Sequence, residues 1–435
     1  MFDALYTAVS GMDATNTELS VIGNNIANMN TIGFKASTVS FDDVLSQSIA
    51  NGSGASQIGQ GVAISSVSPD FSEGSFESTS NSLDLAINGN GMFMVNKDGA
   101  DYYTRDGQFS LGSNGNIVDS NGNALQGYLA NAAGDITGTI GNLQLTTGQS
   151  PANATTVVNL GINLNSMTTG AADNFTLDGN GPHEPNDPAN YDFSNTTTIY
   201  DAQGSAHNVT EYFVKTGNNT WNVHYVYADP AVSGQLLQAG QTSGGAGADP
   251  TGAATVQQLT FNADGSLNTV ASVATPVTFN FGGGAAAQTL NFNYGTSTQY
   301  AGSNSIANVT QDGYASGSLM SESISNTGVI SEVFSNGETR AVGQVALAGF
   351  SAPSELTELG GNLYEQSVGS GAPVIGTAGS SGLGNLDSSS LEESNTDLDQ
   401  EMVQMITAQN GYDANSKIIQ TADDMLQALM NIKQS

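Results

Sequence analysis

The sequence predicts a mixed, mainly β protein in which discontinuous, nested β domains are carried on an α-helical coiled-coil base made from the two chain ends. Three observations predict it. Apolar residues recur at three-four spacing in the first thirty and last forty positions. Between them, short alternating runs are punctuated by Asn-Gly and Asp-Gly pairs. Glycine supplies 53 of 435 residues and aromatics only 7%, a composition suited to turn-rich β structure with polar faces.

At the N-terminus Phe2, Leu5, Val9, Met12, Leu19 and Ile26 share one register, with Ile22 beside them and Asn16 and Gly23 as interruptions. This is the seam of a coiled coil with two weak points. At the other end Leu398, Met402, Met405, Tyr412, Ile419, Leu426 and Met430 share a register, while Val403, Ile406, Ile418, Met425 and Leu429 widen the apolar face. An arc so broad asks for more than one neighbour, so these residues are candidates for packing within and between subunits. Asp397 and Asp399 at the helix start and Lys433 at its end complement the dipole. Gly411, after Asn410, interrupts the helix at a cost of about 1 kcal/mol relative to Ala. A bend or a tight inter-helix approach is expected there. Helices of this length are marginal alone, so both ends need partners.

The first β set occupies the runs 83–87, 91–95, 102–104, 108–111, 116–118 and 124–128. Asn90-Gly91, Asp98-Gly99, Asp106-Gly107, Asn114-Gly115 and Asn121-Gly122 supply hairpin signals between them. A second set runs from about Thr197 to Phe292, including the runs that begin at 208, 221, 256, 277 and 290. The expected organisation is a helical base of residues 1–30 and 395–435, extended linkers over 31–72 and 365–394, an inner β domain of 73–148 and 295–364, and an outer β domain of 149–294.

Seven Lys and Arg face 40 Asp and Glu, a formal charge of −33. Nucleic acid and acidic lipid need a basic footprint, so neither is a partner. The absence of Cys excludes disulfides and thiolate sites. The first twenty residues lack a basic segment followed by a continuous apolar run, and no stretch of about 18 apolar residues occurs, so neither a cleaved signal peptide nor membrane insertion is expected.

No catalytic residue, cofactor or metal site is assigned. Only His183, His207 and His224 offer a histidine base, and no G-x-S-x-G elbow or zincin spacing accompanies them. His207 and His224 read as packed or surface residues of strands, and His183 as part of a turn. Asp119, Asn121 and Asn123 begin like a calcium loop, but Ala124 and Ala130 stand where glycine and glutamate are required. A type I′ turn at Asn121-Gly122 is the expectation there. A paired-carboxylate glycosidase has only the number of carboxylates in its favour.

Ser10-Gly11-Met12, the stretch VIGNNIAN at 21–28 and NTIGFK at 30–35 resemble the N-terminal signature of the bacterial flagellar rod and hook family. At the other end ESNTDL at 393–398, MITAQ at 405–409, YDAN at 412–415 and IQTAD at 419–423 resemble its C-terminal helix. The runs 83–87, 104–109 and 125–128, with 311–314 and 335–337, resemble the β domain these axial proteins share. The long insertion 149–294 favours the hook branch over the shorter rod branch. The resemblance implies a homopolymer of many copies, forming a flexible curved tube that transmits torque from rod to filament around an export channel. It also implies an extracellular place in the flagellum, export unfolded by the flagellar type III apparatus, and a distal rod protein, hook cap and hook-filament junction protein as neighbours. A distal rod or junction subunit is the alternative within the family. An acidic, calcium-dependent surface adhesin is the alternative outside it.

Overall fold

The computed structural model describes residues 2–45, 49–51, 54–56, 59–131, 134–145, 148–170, 172–177, 190–245, 250–272 and 275–434. The protein is mainly β, with a helix at each end: α1, Phe2–Ala27, and α2, Leu398–Gln434. Asp397 caps α2, its Oδ1 accepting the backbone N–H of Asp399 at 2.9 Å and of Gln400 at 3.3 Å. No helix among the described residues is long and apolar enough to cross a membrane.

Two compact units form. The first comprises Met1–Thr147, Ser321–Val333 and Thr339–Ser435. Its main sheet includes, in hydrogen-bonded order, Thr339–Gly349, Ala124–Ala130, Met92–Lys97, Ala100–Thr104, Leu363–Glu365 and Thr357–Gly360. Leu85, Ile87, Phe93, Val95, Phe109, Leu125, Val345 and Leu347 form its core. The returning chain closes this unit by pairing back onto the outgoing one: Asn385–Ser388 joins Leu85–Asn88, and Ser390–Glu392 joins Phe76–Ser78. Where the sequence suggests an extended linker, the chain is extended but paired. Ser37–Leu45 and Gly59–Pro69 form an antiparallel ribbon, with Val39 opposite Val67 and Phe41 opposite Ile64.

The turn signals divide by their backbone. Asp98 and Gly99 both have positive φ and close a two-residue hairpin between Lys97 and Ala100, as a type I′ turn requires. At Asn121-Gly122 only the glycine has positive φ, and the Asp119 N–H donates to Asn123 O, so a longer loop replaces the expected type I′ turn. Asp119 Oδ1 accepts the N–H groups of Asn121 and Asn123, so this carboxylate is spent on holding the loop. Asn90-Gly91 and Asp106-Gly107 close no hairpin. The strands flanking the first pair with different partners, and the second leads into Gln108, which bridges Asp84.

The second unit comprises Gly148–Met320 and Phe334–Glu338. Residues 295–320 therefore pack with the outer insertion instead of the inner β domain where the sequence placed them. One sheet orders Val277–Phe279, Gln288–Asn293, Val157–Asn163 and Ser305–Gln311; the other orders Phe193–Tyr200, Ala206–Gly217, Thr220–Ala228 and Leu236–Gln238. Alternation along Phe193–Tyr200 and Gln288–Asn293 turns every second residue into a shared core that holds Trp221, Tyr225, Phe213, Phe279 and Phe292. Within it Glu211 is fully buried, with Asn195 Nδ2 donating to Oε2 at 2.8 Å and no hydrogen bond to Oε1.

Burial pushes the Glu211 carboxyl up to about 8, against the opposing pull of Thr197 and Asn195. The folded unit therefore binds this proton more tightly than the unfolded chain. Its contribution is complete below the ordinary carboxylate range and is lost as pH rises through about 8. Unfolding followed by Trp221, the sole tryptophan, should show stability falling by about 2–5 kcal/mol between pH 5 and 8. Glu211→Gln should flatten that profile and raise the melting point at pH 8; an unchanged slope in the variant would contradict it.

Candidate functional site

The two terminal helices lie against each other, and their partners run in opposite directions. Gly11 faces Asn415, Thr15 faces Gly411, and Asn25 Nδ2 donates to Glu401 Oε1 at 3.0 Å, so advancing from 11 to 25 on α1 retreats from 415 to 401 on α2. A Cβ on Gly11 would come within 2.6 Å of Asn415 Nδ2, so any larger residue there would make the Asn415 side chain shift. The expected special position was Gly411. There α2 continues unbroken, and an added Cβ would meet Thr15 Cγ2 at an ordinary 3.4 Å.

The pair is built from small and polar residues. Ala8, Ala14, Ile22 and Asn25 are buried on α1, and Glu401, Ala408 and Ala422 on α2. With half-buried Asn415, the α2 residues recur every seven positions. Asn25 also closes the root of the ribbon, its Oδ1 accepting the Ser37 N–H and its Nδ2 donating to Ser37 O, both at 2.9 Å. Burial raises the pKa of the Glu401 carboxyl, with the Asn25 hydrogen bond opposing the shift.

The large residues proposed from sequence occupy other places. Ile22 is buried, while Leu5, Met12, Leu19, Ile26, Met405, Ile419 and Leu426 are half-buried. Val9, Leu398, Met402, Tyr412 and Met430 are exposed, as are Val403, Ile406, Ile418 and Met425. The side chain of Phe2 lies outside the described residues. One copy of the chain thus pairs its helices through alanine, glycine and asparagine and leaves their bulk apolar surface open.

The ribbon adds a surface that sequence reasoning missed. It is docked on α1 where Gly61 meets Ser10: a Cβ there would fall 2.1 Å from Ser10 Oγ, and the Val62 N–H donates to the same oxygen at 3.3 Å. Phe41, Val44, Ile64 and Val67 remain exposed. Alternation of Val39 with Phe41 and of Val62 with Ile64 was the available signal; Val67 falls out of phase with Ile64, and a register shift between Ser40 and Phe41 brings Val67 and Ile64 opposite Val39 and Phe41.

Elsewhere the polar groups serve packing. His207 Nε2 lies 2.9 Å from Asp201 Oδ2 and stacks on Phe281; His224 lies between Gln238 and Asp173 and stacks on Phe175. His183 lies outside the described residues. A cleft of about 480 Å³ in the first unit, walled by Phe71, Met92, Phe350, Pro353, Val374 and Leu383, has Arg105 as its one titratable side chain.

Comparison with known proteins agrees with both ends and the body. Residues 5–35 match the family described as flagella basal body rod protein, and 387–432 the flagellar basal body rod FlgEFG protein C-terminal family. Together with the paired helices, these matches define an axial subunit of the flagellum. Residues 86–181 match the flagellar hook protein FlgE/F/G D1 domain, and 163–314 the flagellar basal body protein FlaE D2 domain. The flagellar hook protein FlgE of Salmonella typhimurium is 36% identical over 98% of this chain and 99% of its own length. That of Borreliella burgdorferi is 32% identical over the whole of both. The chain belongs to the flagellar hook protein FlgE family and is a structural subunit of the hook. The crystal structure of Helicobacter pylori flagellar hook protein FlgE2 shares the fold, with a TM-score of 0.52 and 16% identity over 71% of this chain and 98% of that one.

A buried alanine in a helix pair leaves little room for a larger side chain. Ala408→Leu should lower the temperature at which the assembled protein loses its helical circular dichroism, at a cost of about 1–3 kcal/mol. An unchanged transition would show that Ala408 is not in a packed seam.

Proposed function

We propose that the chain polymerises through the apolar helix faces it cannot bury itself, forming the tube that carries torque from rod to filament and encloses the export channel. The observation that carries this reading is the division of α2. Ala408 and Ala422 are buried, while Val403, Ile406 and Met430 stay 64, 54 and 61% exposed. Subunit-packing roles are assigned to Leu398, Met402, Tyr412 and Met430 on the open face of α2 and to Val9 on α1. Leu5, Met12, Leu19, Ile26, Met405, Ile419 and Leu426 would then serve the rim of the pair, Ile22 its buried seam, and Phe2 the far end of α1. The exposed ribbon face of Phe41, Ile64 and Val67 joins the same surface.

Gly23 supports a neighbour's close approach. A glycine inside a helix costs about 1 kcal/mol relative to alanine, yet no other described residue lies within 4 Å of where its Cβ would be. The missing methyl has no use inside one copy. The polar β surfaces suit sliding contacts outside the core, because their hydrogen bonds are replaceable. The distal rod protein, hook cap, hook-filament junction protein and type III export apparatus are the neighbours this role requires. Export without a cleaved signal, to an extracellular hook, belongs to the same proposal, since helices that order on assembly leave the travelling chain unfolded.

Ile406→Ser tests the reading. Its side chain is exposed in one copy, so the monomer should melt within about 0.5 kcal/mol of wild type. Losing about 1.5–3 kcal/mol of apolar burial per contact should raise the critical concentration for polymerisation roughly 10–100-fold. Normal polymerisation of this variant would overturn the reading.

A further inference from the structure

Two of the chain's seven lysines and arginines meet at one buried carboxylate. Lys35 Nζ lies 2.6 Å from Glu392 Oε1, and Arg105 Nη1 lies 3.0 Å from Glu392 Oε2, with the side chains of Lys35, Arg105 and Glu392 only 0, 4 and 1% exposed. Backbone from further segments completes the cluster. Lys35 donates to Ser72 O, Arg105 donates to Ile87 O and Gly89 O, and the Gly74 N–H donates to Glu392 Oε1. The Gly33 N–H donates to Glu392 O at 2.8 Å. Asn395 completes the tie, accepting the Ala36 N–H and donating to Asp70 O and Ser72 O.

The position of this cluster gives it meaning. Lys35 stands eight residues beyond Ala27, where α1 ends, and Glu392 six residues before Leu398, where α2 begins. Arg105 directly follows the strand Ala100–Thr104 of the main sheet. The cluster is therefore the root of both helices and their attachment to the β body at once. Three segments that the sequence marks separately, NTIGFK, TRDGQF and the approach to ESNTDL, converge there.

A buried ion cluster adds little net stability over apolar packing of the same volume, yet it is intolerant of a missing or displaced partner. What it supplies is geometry, because its charge-assisted hydrogen bonds are short and directional. Lys35 also cannot be buried at low cost until Glu392 arrives from 357 positions away. Burial lowers the Lys35 pKa, and the Glu392 charge opposes that fall.

We infer that Lys35, Arg105 and Glu392 are positioning residues for hook assembly. They dock the roots of both helices onto the β body in one event and fix the direction in which the helix pair leaves it. Every copy then offers its apolar faces to neighbours at the same angle. Lys35 is the arm that reaches the helix root, while the Arg105–Glu392 pair belongs to the β body.

The test uses the purified full-length chain with Lys35→Met, which removes the helix-side arm and leaves Arg105 and Glu392 paired, and with Glu392→Asp, which keeps the charge but withdraws the carboxylate. Critical concentration is read by sedimentation, and β-body stability by calorimetry of the unpolymerised chain. Both variants are expected to raise the critical concentration about tenfold or more; the β-body transition stays at its wild-type temperature in Lys35→Met and falls in Glu392→Asp, whose shorter carboxylate also withdraws from Arg105. An unchanged critical concentration in both, or one that rises in Lys35→Met only in step with a falling β-body transition, overturns the proposal. The proposal rests on assembly through the helix pair. Wild type run beside Ile406→Ser tests that reading separately, so the failure of one is distinguishable from the failure of the other.

Discussion

One copy of this protein cannot cover the apolar faces of its own terminal helices, and the rest of the structure follows from that constraint. The intrachain contact is made by Gly11, Thr15, Ile22 and Asn25 against Glu401, Ala408, Gly411 and Asn415, which brings the helices close and fixes their register. Closeness of this kind buries little area. Burying a Val, Ile or Met side chain contributes about 1.5–3 kcal/mol, and on α2 most such side chains remain in solvent. Since most helical stability in proteins comes from tertiary packing of an apolar face, the proposed assembly would supply much of the order of the chain ends. A chain whose ends order last is suited both to passage through a narrow channel and to polymerisation on arrival.

Charge sharpens this division of labour. The chain carries a formal charge of −33 with only seven cations, and four of those are committed internally. Lys35 and Arg105 hold Glu392, Arg340 pairs with Glu332, and Lys215 donates to Ser166 O and Thr168 O. Few remain to form ion pairs between copies. On the proposed assembly, attraction between subunits is apolar at the helices and hydrogen-bonded elsewhere, which would permit strong axial contacts inside and replaceable ones outside. Open, heterologous contacts of this kind build helical tubes instead of closed rings.

The sequence made the architecture legible wherever its signals were local. Helical spacing located α1 and α2, and alternation located the strands around Trp221, Tyr225 and Phe292. Periodicity failed at the helix pair because it weighs large apolar residues, and the contact is made by Ala408, Asn415 and Ala422, which repeat every seven positions but carry no hydrophobic weight. Turn dipeptides failed at Asn90-Gly91 and Asp106-Gly107 because a local turn does not name the strand that follows it. The ribbon at 37–69 reads as linker because Ser, Thr and Gly separate its apolar residues. Glu392 carries no local signal at all: its role depends on Lys35 and Arg105, hundreds of positions away.

The central claim is that the terminal helices are ordered chiefly by neighbouring copies, and amide hydrogen exchange on the full-length chain tests it most directly. Below the critical concentration, amides of α1 and α2 should exchange near the rate of an unfolded chain while those of Met92–Lys97 and Thr339–Gly349 stay protected. In the polymer the helix amides should become protected to the level of the sheet. Helix amides equally protected in monomer and polymer would contradict the account.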